Sequence, residues 1–169
     1  MLFGAISLIS EPAGSAYEEF MRREHESRVM MLDPNIRPNF IPDKAKHLRR
    51  IREMMAMADI VKLSDEDLNW FDEAGSHEDV VRNWLERGPK LIVVTHGSEG
   101  AVGYSREHRV TVMPQKVKVV DTVGAGDTFN AGILASLHEQ GLLTKAAIDS
   151  LPEDAIRKAL SLGAKAAAV

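Results

Sequence analysis

Short apolar runs alternate with longer amphipathic stretches along most of this 169-residue chain. Runs with strand character occupy residues 3–9, 28–33, 59–63 and 91–95. A chain that returns to an apolar strand after each amphipathic helix can bury those strands in a parallel sheet covered by helices. We therefore expect an α/β fold: a doubly wound, mostly parallel sheet with helices on both faces.

The predicted helices follow from the spacing of apolar residues. Helical periodicity covers residues 15–25, 44–58, 79–87, 142–150 and 152–169. A further helix is predicted after Ser64, because Asp67 three positions later gives a near capping box. Residues 100–104 and 109–113 are too close together for a crossover helix, so they predict an antiparallel hairpin.

Length and composition limit the functional classes. With 44% apolar residues the chain suffices for one globular domain, and its net charge of −4 predicts neither a nucleic-acid nor an anionic-membrane surface. The absence of cysteine excludes disulfides and thiolate metal sites and fits a cytoplasmic protein. No apolar run approaches the roughly 20 residues of a membrane-spanning helix.

Neither end of the chain carries an ordinary boundary signal. A doubly buried strand at the start needs neighbours in the sheet, and the last predicted helix reaches Val169 without a stop signal. The apolar start lacks a basic leader and a cleavage site, so no signal peptide is predicted. We expect a piece of a larger domain; the alternative is a compact domain with trimmed ends.

Residues 121–134 read DTVGAGDTFNAGIL, a glycine-rich turn that runs into a helix. Gly124 and Gly126 allow the amides of Ala125, Gly126 and Asp127 to converge on an anion at the positive end of that helix. Asp127 can accept the proton of an attacking hydroxyl while those amides stabilise a transferred phosphoryl group. The alternative is a simple glycine turn with Asp127 as the N-cap.

The same string closely resembles the carboxy-terminal signature of the ribokinase-like (PfkB) sugar kinases. The segments FGAISLISEP, DPNIRP, VKLSDEDL and VTHGSEGA are similar to those of fructokinases in particular. The resemblance implies an ATP- and magnesium-dependent kinase that phosphorylates a sugar hydroxyl, with fructose as the expected sugar. It also implies that residues 1–169 are the carboxy-terminal part of the kinase domain, without the amino-terminal half, its lid and the last stretch. The chain alone is then expected to be inactive.

The resemblance assigns roles to particular residues. Asp127 matches the family's catalytic base, and the loop at Gly124, Ala125 and Gly126 matches its anion hole. The nucleotide-binding turn is matched by Thr95, Gly97 and Gly100. A glycine at a strand's carboxyl end lets the chain approach a nucleotide closely, although Gly97 and Gly100 also fit a tight turn before a hairpin.

The residues expected near the metal and the acceptor match the family pattern less closely. Where the family commonly has Asn and Glu, which order magnesium and phosphate-bound waters, this chain has Ser64 and Asp67. Asp67 is therefore expected to reach the metal through water, whereas Ser64 is alternatively only a helix cap. Arg37, just beyond a strand end, matches an arginine on the acceptor side; the alternative is a surface arginine. Asp33 either orients Arg37 or ends the strand.

Several expectations remain open. Asp121 and Thr122 are near the region where many relatives hold a monovalent cation, so potassium is a candidate cofactor besides ATP and Mg²⁺. The acceptor is alternatively ribose, a keto-deoxy sugar acid or a nucleoside. In another class, the chain is a catalytically incomplete nucleotide-binding or interaction fragment. A homodimer is left open, and no nucleic-acid or membrane partner is expected.

Overall fold

The computed structural model describes residues 1–4, 6–113 and 124–168, in which six strands form one sheet with spatial order equal to chain order. The strands are β1 (Leu2–Gly4), β2 (Met31–Asp33), β3 (Ile60–Ser64), β4 (Leu91–Thr95), β5 (Ala101–Tyr104) and β6 (Arg109–Val112). The first four strands are parallel, while β4, β5 and β6 pair antiparallel. The mostly parallel sheet and the predicted hairpin are thereby confirmed.

Eight helices cover the two faces of this sheet in the described part of the chain. They are α1 (Ile6–Ile9), α2 (Ala13–Glu24), α3 (Lys44–Met57), α4 (Asp65–Trp70), α5 (His77–Leu85), α6 (Ala125–Glu139), α7 (Lys145–Ile148) and α8 (Glu153–Ala166). One apolar core joins the sheet to α2 through α5, and a second joins its other face to α6, α7 and α8. This arrangement confirms helices on both faces.

Successive side chains of strand β3 alternate between the two apolar cores. Val61 and Leu63 belong to the core beneath α2 through α5, whereas Ile60 belongs to the core beneath α6 and α8. Lys62 has the same parity as Ile60, so its side chain leaves the sheet toward α6. A lysine is thus placed, 7% exposed, under the helix that carries the glycine-loop aspartate.

The predicted strand over residues 3–9 is wrong beyond Gly4. The strand ends there and Ile6–Ile9 form a short helix, in which Ser7 Oγ donates to the carbonyl oxygen of Gly4 at 2.9 Å. A short apolar run does not distinguish a buried strand from a buried helical turn. Nor is β1 buried on both faces, since its burial pattern is exposed, buried, exposed.

Other helix predictions needed smaller changes. The tail predicted over residues 142–150 is helical only at Lys145–Ile148, where Thr144 caps the first turn. The predicted start of α4 is confirmed, because Ser64 and Asp67 form both halves of a capping box. Ser76 and Asp79 form a second box that starts α5 two residues earlier than predicted.

Candidate active site

The loop before α6 ends in a left-handed glycine. Gly124 is the N-cap of α6 with φ 79° and ψ −3°, a conformation that costs glycine little. Its carbonyl oxygen accepts hydrogen bonds from the backbone N–H and from the Oγ1 hydroxyl of Thr128, each at 2.8 Å. A Cβ built on Gly124 would meet no atom of the described residues within 4 Å, so among these residues the backbone is open on that side.

Asp127 is the third residue of α6, with its side chain exposed. The helical hydrogen bonds begin with the Thr128 N–H, so the amides of Ala125, Gly126 and Asp127 lie ahead of them at the positive helix end. The alternative interpretation of Asp127 as the N-cap is wrong, because Gly124 holds that position. An exposed carboxylate and three helix-start amides therefore occupy the same turn.

Thr95 ends β4 at the carboxyl edge of the sheet, paired with Ser64 of β3 and Ala101 of β5. Its Oγ1 donates to the carbonyl oxygen of Leu63 at 3.4 Å, which is a long hydrogen bond. Exchange of such a bond for one to a phosphate or ribose oxygen costs little.

The turn after Thr95 requires glycine at two positions. Gly97 has φ 52° and Gly100 has φ 102°, and the His96 N–H donates to the carbonyl oxygen of Gly100 at 2.8 Å. The tight turn before a hairpin is therefore present. The space beside Gly97 is also open in the part of the chain that the structure describes, where no atom lies within 4 Å of a Cβ built there. Both the structural and the nucleotide-binding interpretation fit this geometry.

Asp67 is 6% exposed, and its carboxylate binds two backbone segments. Oδ1 accepts the N–H of Ile36 at 2.7 Å, and Oδ2 accepts the N–H of Ser64 at 3.0 Å. The Asp67 N–H donates in return to Ser64 Oγ at 3.0 Å. An ionised carboxylate has about four lone-pair sites, so capacity for a metal-bound water remains after these bonds. The side chain of Ser64 caps α4, which agrees with the alternative prediction that this residue is a helix cap.

Arg37 is exposed in the loop after β2, where its Nη1 donates to the carbonyl oxygen of Ile36 at 3.0 Å. Within the described residues it is not paired with Asp33, which instead accepts from Lys62, Asn130 and the Asn35 N–H. Arg37 is thus linked to the other predicted site residues only through its neighbour Ile36, which binds Asp67.

Sequence reasoning missed Lys62 and Asn130. Both are buried with Asp33 under the start of α6 and are joined to it by hydrogen bonds of 3.2 and 2.7 Å. A lysine within the apolar strand IVKLS was the available signal for one of them. Asn130 gave no such signal, because a helical asparagine is ordinarily solvent-exposed.

The predicted cation region at Asp121 and Thr122 lies outside the described residues. Within the residues that are described, three or more His, Asp or Glu side chains nowhere converge as a metal site. Magnesium in kinases is bound mainly by substrate phosphates, waters and one or two carboxylates, so this donor set fits a water-mediated contact from Asp67. None of the described helices is both long and apolar enough to cross a bilayer.

A cleft of about 390 Å³ opens elsewhere, between the loop after α1 and the start of α3. It contains none of the predicted site residues. Its buried Arg50 is already paired with Glu11 at 2.6 Å and with Glu18 at 3.1 Å. The Arg50 guanidinium, assisted by Ser15 and Lys46, holds the pKa of Glu11 well below its usual range. The charge of Arg50 in the cleft wall is therefore already balanced by Glu11 beside it and by Glu18 of α2.

A comparison with known protein families identifies the family of this chain. A family model described as "pfkB family carbohydrate kinase" matches residues 2–169. The chain belongs to the pfkB family of carbohydrate kinases. The resemblance carried by the glycine-loop string is thereby confirmed.

Relatives within the pfkB family are similar over nearly the whole chain. A fructokinase from Rhizobium leguminosarum bv. trifolii is 57% identical over 155 residues, which are 92% of this chain and 48% of that protein. The chain thus spans about half the length of this curated relative. Rice fructokinase-1 is 36% identical over 85% of the chain and 47% of its own length.

Solved structures confirm the fold. Aminoimidazole riboside kinase from Salmonella enterica, complexed with aminoimidazole riboside and an ATP analog, superimposes with a TM-score of 0.82 at 25% identity, over 99% of this chain and 54% of that one. The ribokinase-like arrangement predicted for this pfkB chain is therefore correct.

Proposed function

We propose that this chain carries the catalytic base and the nucleotide-binding loops of an ATP-dependent kinase that phosphorylates fructose. The observation that carries the proposal is the start of α6, where the exposed Asp127 follows the amides of Ala125 and Gly126, which lie ahead of the first helical hydrogen bond. This turn sits against the carboxyl-end half of the sheet, since Gly126 adjoins Lys62 of β3. Open α/β sheets bind their ligands at that edge.

Asp127 acts on the acceptor. Its carboxylate accepts the proton of a sugar hydroxyl, expected to be that on the terminal carbon of the ketose, as the oxygen attacks the γ-phosphorus in line. The bond from the γ-phosphorus to the bridging oxygen breaks, and ADP leaves with that oxygen. The exposure of Asp127 supports this role, because its carboxylate is accessible to a substrate hydroxyl.

The helix start acts on the phosphoryl group. The amides of Ala125, Gly126 and Asp127 hold the charge that develops on the equatorial oxygens, with the positive end of α6 behind them. Gly124 contributes the open approach, since a side chain there would stand where the phosphate enters.

The β4 turn binds the rest of the nucleotide. Thr95 offers its hydroxyl, and the open backbone at Gly97 with the positive φ of Gly100 lets the chain lie close to ATP. When bound, magnesium neutralises charge on the ATP phosphates. Asp67 orients a water of that ion, and Arg37 meets the acceptor with its planar guanidinium.

Fructose is proposed because the relative at 57% identity is a fructokinase. A second acceptor class, a nucleoside, is favoured by the likeness to aminoimidazole riboside kinase at 25% identity. The two proposed reactions use the same base and loops and differ only in the acceptor. That the protein forms a homodimer and that it uses potassium remain predictions.

The proposal is tested with the native protein that carries these residues. ADP release is measured with ATP, Mg²⁺ and, in turn, fructose, ribose, a keto-deoxy sugar acid and a nucleoside, in potassium and in sodium buffer. Fructose is expected to give the highest kcat/KM, with a sugar phosphate identified by mass. If no acceptor raises ADP release above that with ATP alone, the proposed kinase function is wrong.

A further inference from the structure

A buried polar network joins the sheet to the start of α6. Asp33, at the end of β2, is 3% exposed, and its Oδ2 accepts from Lys62 Nζ at 3.2 Å and from Asn130 Nδ2 at 2.7 Å. Its Oδ1 accepts the Asn35 N–H at 3.1 Å. Lys62 and Asn130 are 7% and 0% exposed, so three elements contribute to one hydrogen-bonded cluster shielded from solvent.

The network lies directly against the glycine loop. A Cβ built on Gly126 would be 3.1 Å from Lys62 Nζ, so the ammonium group lies beside the first turn of α6, where a side chain at Gly126 would be. Asn130 lies one helical turn after Gly126 and on the turn that follows Asp127. The first two turns of α6 therefore meet the network at two points: Gly126 faces Lys62, and Asn130, one turn further on, donates to Asp33.

Stability alone is a poor explanation of this cluster. Desolvation of an ammonium and a carboxylate costs several kcal/mol each, and apolar side chains of similar volume often serve a core equally well. A buried ion pair with an amide partner instead fixes the relative orientation of the elements that carry it, because its hydrogen bonds form in only one placement of the partners. The placement fixed here is that of α6 relative to β2 and β3.

We propose that Asp33, Lys62 and Asn130 are positioning residues, which hold the start of α6 so that Asp127 and the anion-hole amides meet the reacting groups. The inference rests on the proposed kinase function. Phosphoryl transfer depends mainly on positioning, and a misplacement of about 1 Å costs about 100-fold in rate. Loss of the network therefore lowers kcat more than it weakens substrate binding.

Two variants in the native protein test this role. Asn130→Ala removes one support of α6, and the double variant Asp33→Asn with Lys62→Met removes both charges together. The double variant leaves no unpaired buried charge, so its stability is expected to recover most of what Lys62→Met alone loses. Both variants are expected to lower kcat by about 10- to 100-fold, with KM for ATP nearly unchanged.

A matched control separates positioning from folding. Ser136 is also polar and 6% exposed on α6, but it lies further along the helix and accepts from Gln140 at 3.1 Å. Ser136→Ala is expected to lower the unfolding temperature without changing kcat. If Asn130→Ala does not fold, Asn130→Leu, which has a similar volume but no donor, replaces it.

The outcomes distinguish the two proposals. An active wild-type protein whose folded Asn130 variant and charge-free double variant keep near-normal kcat overturns the positioning role and leaves the kinase function standing. A proportional loss of kcat and stability in Ser136→Ala and Asn130→Ala overturns it as well. A wild-type protein inactive with every acceptor overturns both.

Discussion

Gly132 of α6 and Gly163 of α8 meet backbone to backbone. A Cβ built on Gly132 would lie 2.6 Å from the Gly163 Cα, and one built on Gly163 would lie 2.9 Å from the carbonyl oxygen of Phe129. Distances this short leave no room for a side chain on either helix. The pair therefore sets how closely α6, the helix of the glycine loop, packs against α8.

Gly132→Ala is expected to destabilise the fold by about 1–3 kcal/mol, the usual cost of overpacking. The sign of the change in unfolding free energy tests the close contact, because the same substitution in an unconstrained helix stabilises that helix by roughly 0.5–1 kcal/mol. Urea unfolding measures the difference. Ala135→Gly, at an exposed position of α6, reports helix propensity alone; a Gly132→Ala protein more stable than wild type would contradict the close contact.

Asp127→Asn in the native protein is expected to lower kcat by about 10²- to 10⁴-fold, the usual contribution of a general base, with little change in ATP affinity. Steady-state kinetics and calorimetric ATP binding measure the two effects. Glu139→Gln, which removes an exposed carboxylate at the other end of α6, is the control and should leave kcat unchanged. Near-normal turnover by Asp127→Asn would remove the residue from the base role.

Asp67→Asn is expected to raise the magnesium concentration for half-maximal rate, because an amide orders a metal-bound water less well than a carboxylate. Unlike Asp67→Ala, it keeps one oxygen acceptor for the two amides bound at 2.7 and 3.0 Å. Magnesium titrations of initial rate provide the measurement. Asp79→Asn, in the equivalent capping box of α5, is the control. Equal titrations for wild type and Asp67→Asn would leave Asp67 as a helix cap only.

His47 is expected to make stability depend on pH above the carboxylate range. Burial, and next the charge of Arg50, lower its pKa below the ordinary value of 6.5. The unfolded chain therefore binds the proton more readily, and the free energy of unfolding falls as pH drops below 6.5 and through the lower pKa of the folded state. Carboxylates with lowered pKa, such as Glu11, lose their contribution only below about 4.5.

His47→Phe tests this because the ring can keep its edge-on contact with Trp70 at 6.1 Å. Its unfolding temperature should change less between pH 7.5 and pH 5.5 than that of wild type. His138→Gln, at an exposed position of α6, is the control. An equal pH response in wild type and His47→Phe would show that His47 does not contribute.

The 169-residue chain alone is expected to self-associate and to give no useful turnover of fructose. Among the described residues β1 pairs only with β2, and beside this sheet edge Leu2 is 43% and Ile6 61% exposed. Such an edge accepts a second chain. Sedimentation over a concentration series should show dimers or larger species, reduced by Leu2→Lys but not by Phe40→Lys, which lies off the sheet edge. A strictly monomeric chain with robust activity would contradict this.

Local patterns predicted most of the fold. The hairpin of β5 and β6 followed from spacing alone, and the Ser64–Asp67 capping box followed from one hydroxyl and one carboxylate at the right separation. These features depend on neighbours within a few residues. Helix α1 was missed because a run of four residues, three of them apolar, fits a strand and a helical turn equally well.

Long-range contacts were not predictable in this way. Asn130 meets Asp33 across 97 positions, and the Ile36 amide meets Asp67 across 31. Only the assembled sheet brings these groups together. The sequence could place Asp127 at a helix start and showed a lysine within the apolar strand IVKLS, but it held no local sign that this lysine lies beneath that helix start or that two glycines set its distance from α8.

Asp67 couples the loop after β2 to the start of α4, because its carboxylate accepts hydrogen bonds from the amides of both Ile36 and Ser64. In the proposed kinase, a magnesium-bound water that donates a hydrogen bond to the Asp67 carboxylate perturbs the loop that carries Arg37. Thermodynamic linkage makes the effect mutual: the factor by which sugar changes the affinity for Mg·ATP equals the factor by which Mg·ATP changes the affinity for sugar. Substrate synergy would then originate in one side chain that touches neither substrate directly.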